Sequence, residues 1–295
     1  MNILVAFNDG YVMPTKIMLK SVIANNDEPI DIYCLYDQLS KDSMESINSL
    51  QDHDNVRVYL IHVDRTQFTY VPVHSHFSVE CYFRLFAHRY IDEKIDRILW
   101  LDGDIIVNGS LQEFYYQEFG NKCFIAVEEE TLGRNQKKHE ALNIPNDVIY
   151  VNSGVLLMNL KEMRQRLNDE KIIQYIKENQ QLLEWVDQDV YNCLLYNEIK
   201  VIERDYTYNC PAWKINNGNK KENGGGGQVR VIHYSGKRKP WKKGYDDEGF
   251  DLYWKYGLLD NEYKKVYIKA LISHYLCKAF MTKKLRPIIK KYLHK

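Results

Sequence analysis

The chain has six cysteines but no Cys-x-x-Cys pair: Cys34, Cys81, Cys123, Cys193, Cys210 and Cys277 are scattered, several inside apolar runs. That spacing excludes a zinc-ribbon ligand set and offers no disulfide framework, so the thiols read as reduced core residues of a cytosolic protein. No apolar run approaches the ~18 residues of a membrane-spanning helix. The first apolar run, residues 3–7, has no basic segment before it and stops at Asn8-Asp9-Gly10, which argues against a signal peptide. Charge of either sign is not in excess, with Lys plus Arg and Asp plus Glu at 40 each. Nucleic acid is therefore not expected as a partner. No G-x-G-x-x-G occurs, which disfavours a dinucleotide. The glycine run at 224–227 lacks the Lys-Ser/Thr ending and following helix of a P-loop, so it reads as a surface loop. Acid is missing from residues 263–295, which carry ten Lys or Arg, and the rest of the chain is accordingly net acidic by ten.

What is present is enough for a core. Hydrophobic residues make up 45% of 295, a length compatible with one or two domains. Apolar runs at 3–7, 30–36 and 56–63 alternate with helical patterns at 14–23 and 41–50, the signature of βαβ units and an open, mostly parallel sheet. Helical periodicity is expected over 77–90 and, as one charged amphipathic helix, over 161–179. Further strands are expected at 123–127, 148–160, 199–202 and near 229–233. Gly154 interrupts the 148–160 run and permits a bulge or close backbone approach.

The densest chemistry lies in Arg97-Ile98-Leu99-Trp100-Leu101-Asp102-Gly103-Asp104-Ile105-Ile106-Val107. It reads as a buried strand ending in two carboxylates separated by a glycine. Such a pair can converge on one hard divalent cation, and it can equally be an Asp-Gly turn between strands. His233 ends another strand run and precedes the basic turn Gly236-Lys237-Arg238-Lys239. Two Asp and one His form an open, mostly oxygen site suited to Mn²⁺ or Mg²⁺, with imidazole favouring manganese. A diphosphate would complete such a cation's shell while Lys237, Arg238 and Lys239 neutralise its charge. Asn8, Asp9 and Tyr11 follow the first strand, where open α/β sheets hold nucleotides. Asp187 and Asp189 open a helix, for which simple N-terminal stabilisation is an alternative reading, the better one for Asp189.

Taken in order, the segments 3–11 with the following helix, Tyr82-Phe83-Arg84-Leu85, Leu99-Trp100-Leu101-Asp102-Gly103-Asp104, Tyr150-Val151-Asn152-Ser153-Gly154-Val155, Asp187-Gln188-Asp189, and His233-Tyr234-Ser235-Gly236 with Lys239-Pro240-Trp241 resemble glycosyltransferase family 8. The resemblance covers roughly residues 1–255. It implies a GT-A fold, in which a mixed, mostly parallel sheet is flanked by helices, and a retaining hexosyltransferase using UDP-galactose or UDP-glucose. It implies metal ligation by Asp102, Asp104 and His233. Ala6, Asn8 and Tyr11 would contact uridine, and Gly236 and Lys239 the diphosphate; the reading of the first strand's end adds Asp9 to the base and ribose contacts. Arg84 and Asn152 would face the donor sugar, with Gly103 in the nucleotide-sugar site. Asp187 would hold sugar hydroxyls, Gln188 would lie by the anomeric centre, and Glu129 would stand near the acceptor side.

Retention comes from the resemblance. Gln188 is a poor nucleophile, so same-face attack by the acceptor, assisted by the departing phosphate, is expected. The catalytic body is expected over 1–258 and a basic amphipathic helical tail over 259–295. Such a tail suits an anionic membrane and a lipid-linked glycan acceptor, with the protein peripheral on the inner face of the plasma membrane; packing on the body is the alternative. Two other functions compete: a catalytically silent nucleotide-sugar-binding protein, and a haloacid dehalogenase-like phosphatase. The latter places its Asp-x-Asp on the first strand.

Overall fold

A computed structural model describes residues 1–73, 77–203, 207–216, 219–220 and 228–281. In chain order its strands are β1 (Asn2–Ala6), β2 (Ile30–Tyr36), β3 (Val56–His62), β4 (Arg97–Leu101), β5 (Ile105–Val107), β6 (Phe124–Glu128), β7 (Val151–Asn159), β8 (Ile199–Ile202), β9 (Cys210–Pro211), β10 (Ile215–Asn216), β11 (Asn219–Lys220) and β12 (Val231–His233). Seven of them form the central sheet in the order β3-β2-β1-β4-β7-β6-β8. Only the pairings of β7 with β4 and β6 are antiparallel. The expected mixed, mostly parallel sheet is therefore present.

Both faces of the central strands are covered, which is why they read as unbroken apolar runs. On β4, Ile98 and Trp100 enter one core while Leu99 and Leu101 enter the other, as a side-chain period of two requires. One layer contains the helices Leu160–Arg166, Asp169–Asn179 and Val186–Leu194 and the 3₁₀ run Val79–Phe86. The other holds Val12–Ala24 and Lys41–Asn48.

A second sheet, β5-β12-β9, stands beside the first. The 97–107 run thus divides: β4 belongs to the large sheet and β5 to the small one, with Asp102-Gly103-Asp104 at the crossing. This junction places carboxylates from one turn at the edges of two sheets.

Two elements differ from the sequence reading. Residues 79–86 form a 3₁₀ run before the short helix Ala87–Tyr90. The amphipathic segment 161–179 is two helices, because Asn168 leaves helical geometry and its side chain caps the second by accepting from the Lys171 N–H at 2.9 Å.

The helix Lys264–Met281 buries Ala270 and His274 against the aromatic cluster of Phe250, Tyr253 and Trp254. Lys16 and Lys20 reinforce this junction through Asp260 at 3.0 and 2.7 Å. The opposite side exposes Ile268, Ile272, Tyr275 and Leu276 among Lys264, Lys265, Lys269 and Lys278. No described helix is long and apolar enough to cross a membrane. The expectations for the glycine run 224–227 and for residues 282–295 lie outside the described residues.

Candidate active site

Main-chain pairing assembles the acidic cluster. The parallel register of β1 and β4 carries Ala6 and Asn8 to the same sheet edge as Asp102. β7 runs antiparallel to β4, and the Asp102 N–H donates to the Gly154 carbonyl at 2.9 Å, so the Asn152-Ser153-Gly154 segment lies beside Asp102. In the second sheet His233 pairs with Ile105, and the Tyr234 N–H donates to the Asp104 carbonyl at 2.9 Å. His233 and the Asp pair, 131 and 129 residues apart in sequence, therefore meet by strand register.

His233 Nε2 lies 3.2 Å from Asp104 Oδ1 and 3.8 Å from Asp102 Oδ2. Ligand atoms of all three residues fall within 4.8 Å of one another. The imidazole is held from behind by Asn209, whose Oδ1 sits 3.1 Å from Nδ1. Were a cation bound among the three ligand atoms, a proton on Nδ1 donated to that oxygen would leave the Nε2 lone pair facing it. The other oxygen of each aspartate is occupied. The Trp100 indole N–H donates to Asp102 Oδ1 at 2.9 Å and Arg84 Nη1 approaches it at 3.0 Å. Lys239 Nζ bonds Asp104 Oδ2 and donates to the Tyr234 carbonyl at 2.7 Å. Burial alone would raise the Asp104 carboxyl, but the Lys239 ammonium and the His233 ring hold it well below the usual carboxylate range.

Two glycines make this convergence sterically possible. A Cβ on Gly154 would stand 2.4 Å from His233 Cε1 and 2.9 Å from Asp102 Oδ2. A Cβ on Gly103 would stand 2.4 Å from Thr15 Oγ1, so the turn can lie against the Val12–Ala24 helix only without a side chain. The donor set fits a divalent cation: two carboxylate oxygens and one imidazole nitrogen converge around a cradle that a single methyl group would fill.

Arg84 organises the floor. Buried at 3% exposure, it stacks 4.3 Å from the Trp100 ring and donates to the Ser153 carbonyl at 2.5 Å and the Cys81 carbonyl at 3.0 Å. Its Nε also lies 3.0 Å from Asp187 Oδ2. Burial pushes the Asp187 carboxyl up to about 7, with Arg84 opposing and Asp102 adding to the rise. Gln188 accepts from the Ser153 N–H at 3.0 Å and donates to the Tyr150 hydroxyl at 3.3 Å. Both follow Val186, a β-branched residue held at φ 43°, a strained conformation that sets the start of their helix.

The other expected residues divide. Tyr11 is half-buried, edge-on to Trp241 at 6.0 Å, and burial with Asp104 and Asp102 raises its hydroxyl well above the ordinary value. Asn8 bridges Gly10 N–H and the buried Glu80 at 3.1 and 3.3 Å. Ala6 ends β1 half-buried, and Asn152 accepts from the Gly154 N–H at 2.8 Å. Gly236 adopts φ 82° in the turn leading to Lys239. Asp9 is exposed and tied to the Ser40 N–H at 3.0 Å, at the rim. Glu129 caps its own turn by accepting from the Thr131 and Leu132 N–H groups. Asp189 is structural: it accepts from the Trp185 N–H at 2.8 Å and the Tyr150 hydroxyl at 2.6 Å. Sequence reasoning missed Asn209 and the indole role of Trp100. No spacing rule points to Asn209, which acts through a tertiary contact; Trp100 stands two residues before Asp102, and the period-two alternation of a strand is the signal that could have found it.

Known proteins share this architecture. The model of the family described as "Glycosyl transferase family 8" matches residues 2–244. The lipopolysaccharide 1,2-glucosyltransferase of Escherichia coli is 26% identical over 256 residues, covering 81% of this chain and 73% of that protein. The lipopolysaccharide 1,3-galactosyltransferase of Salmonella typhimurium is 26% identical over 249 residues, covering 81% and 72%. Among solved structures, the galactosyltransferase LgtC in complex with donor and acceptor sugar analogs superposes with a TM-score of 0.79 at 23% identity, covering 90% of this chain and all of that one.

Proposed function

Because the chain belongs to glycosyltransferase family 8, we propose that it is a retaining hexosyltransferase that moves galactose or glucose from a UDP-sugar to a glycan or lipid-linked glycan acceptor. The observation that carries the reading is the convergence of Asp102 Oδ2, Asp104 Oδ1 and His233 Nε2 with Lys239 at the same carboxylate. In this reading those three residues hold a divalent cation, Mn²⁺ by the mixed oxygen and imidazole donors. The bound cation supplies positive charge against the leaving diphosphate.

The remaining roles fall to the chain's own groups. Lys239 and the turn at Gly236 receive the diphosphate, and Lys239 stabilises the charge that develops as the glycosidic bond breaks. Ala6, Asn8 and Tyr11 line the uridine end of the strand edge. Asp9 lies at its rim. Arg84 fixes the orientation of Asp102 and Asp187 at once, and Asn152 and Asp187 face the donor hexose. Gln188 presents a neutral amide near the anomeric carbon. Neither it nor Asp187, paired to buried Arg84, is a free carboxylate nucleophile, which favours same-face attack by the acceptor hydroxyl. The departing phosphate then accepts the acceptor's proton.

The catalytic body is assigned to 1–258 and the tail to 259–295. The exposed Ile268, Ile272, Tyr275 and Leu276 among lysines support peripheral binding to an anionic inner membrane face. Deleting 282–295, which spares the docked helix, should weaken binding to anionic vesicles without abolishing UDP release. Unchanged vesicle binding refutes a membrane role for that segment.

The functional test is incubation with Mn²⁺ and UDP-galactose or UDP-glucose. Slow UDP release by donor hydrolysis is expected, with the anomeric configuration of the released or transferred hexose retained by NMR. Silence with every UDP-hexose favours a nucleotide-sugar-binding protein without activity.

A further inference from the structure

The carboxylates of the cluster already have protein cations. Arg84 stands 3.0 Å from both Asp102 and Asp187, and Lys239 is bonded to Asp104. The two cations differ in how they are held. Arg84 is fixed by the Ser153 and Cys81 carbonyls and by stacking on Trp100. Lys239, 6% exposed, is held at its ammonium by Asp104 Oδ2 and the Tyr234 carbonyl, with the Trp241 ring 5.9 Å away. Its flexible stem lets the ammonium swing while the backbone stays in place.

Asp104 is the shared point. Its Oδ1 faces His233 Nε2 at 3.2 Å, while its Oδ2 carries the lysine. A dication at the three converging ligand atoms would sit on the same carboxylate as a buried ammonium. Like charges so placed repel strongly, because a buried site screens them poorly. An anionic diphosphate offers the ammonium a better partner and removes that conflict.

We propose that Lys239 is a resident counter-ion gating the site: it competes with the divalent cation for Asp104 and yields to the diphosphate, so that cation and nucleotide bind cooperatively. This rests on the reading that Asp102, Asp104 and His233 hold the cation. Lys239 is thereby a positioning residue for the empty and filled states as well as a diphosphate contact. Linkage makes the effect reciprocal, so each ligand tightens the other by one factor.

The test is Mn²⁺ binding followed by electron paramagnetic resonance of the free aquo ion, with and without UDP. It uses the full chain as wild type, Lys239→Met, Lys239→Gln and Lys239→Arg. Wild type should bind Mn²⁺ weakly alone and on the order of tenfold tighter or more with UDP. The two neutral variants should bind Mn²⁺ alone about tenfold tighter than wild type, with the gain from UDP reduced, while Lys239→Arg stays as weak as wild type. Metal-alone affinity that is unchanged or lower in both neutral variants, against a wild type that binds Mn²⁺ with UDP, overturns the gate and leaves the metal site standing. A wild type that binds no Mn²⁺ even with UDP overturns both.

Discussion

Replacing Gly154 by alanine is the sharpest steric test of the cluster. Gly154 lies in β7 and is not among the residues at positive φ, so alanine meets no backbone penalty there. The added methyl would stand 2.4 Å from His233 Cε1, where carbon atoms prefer ~3.5 Å or more, so the ring or the strand must give way by about 1 Å. The ring has little freedom to do so. It is buried, bonded to Asn209 at 3.1 Å, and carried by a strand paired on both sides. A misplacement of ~1 Å in a catalytic constellation costs on the order of 100-fold, equivalent to about 2.7 kcal/mol. Overpacking should lower stability by only ~1–3 kcal/mol, leaving a folded protein. The assay is kcat/KM for Mn²⁺-dependent UDP release, with the same substitution repeated in a His233→Ala background. If the clash with His233 is the cause, Gly154→Ala should add little there. A folded Gly154→Ala enzyme within about threefold of wild type would refute the reasoning, since a methyl group cannot occupy that space beside an undisturbed imidazole.

Asn209→Ala should weaken Mn²⁺ binding ~10–100-fold in the presence of UDP, because the imidazole loses the contact that sets its tautomer and orientation; equal affinity by paramagnetic resonance would count against that role. For Asp187, whose carboxyl is raised from 3.8 to about 7, the protonated form favours the folded state. Its contribution is full below the unfolded value and is lost as pH rises through about 7, amounting to roughly 4 kcal/mol. Asp187→Asn should therefore flatten the fall in melting temperature between about pH 4 and pH 7 in chelator, and a parallel fall in both proteins would disprove it. Arg84→Lys should lower kcat/KM by ~100-fold, since an ammonium cannot span Asp102, Asp187 and the Ser153 carbonyl together; activity near wild type would show that charge alone suffices.

Much of this was legible in the sequence because burial on two faces leaves an unmistakable mark. The runs 30–36 and 199–202 coincide with β2 and β8 residue for residue. The Asp-Gly-Asp turn, His233 and the close approach at Gly154 could each be singled out from residue type and place. Their meeting depends on β5 and β12 forming a second sheet, which local pattern does not encode. The division of 161–179 was marked by Asn168-Asp169-Glu170, a capping residue followed by acids, but a continuous amphipathic period obscured it. At 79–86 the 3₁₀ geometry replaces an α-helix where Arg84, Tyr82 and Phe83 must all be buried together. Asn209 had no signal at all, since an asparagine before a two-residue strand is chemically unremarkable until the fold brings it behind the imidazole.

The central claim is that Asp102, Asp104 and His233 grip one divalent cation that holds a nucleotide diphosphate. Isothermal titration of Mn²⁺ into the full chain with saturating UDP, for wild type and for Asp102→Asn with Asp104→Asn, measures it directly. One tight site per chain in wild type and its loss in the double variant is the predicted result. Equal stoichiometry and affinity in both proteins would contradict the account.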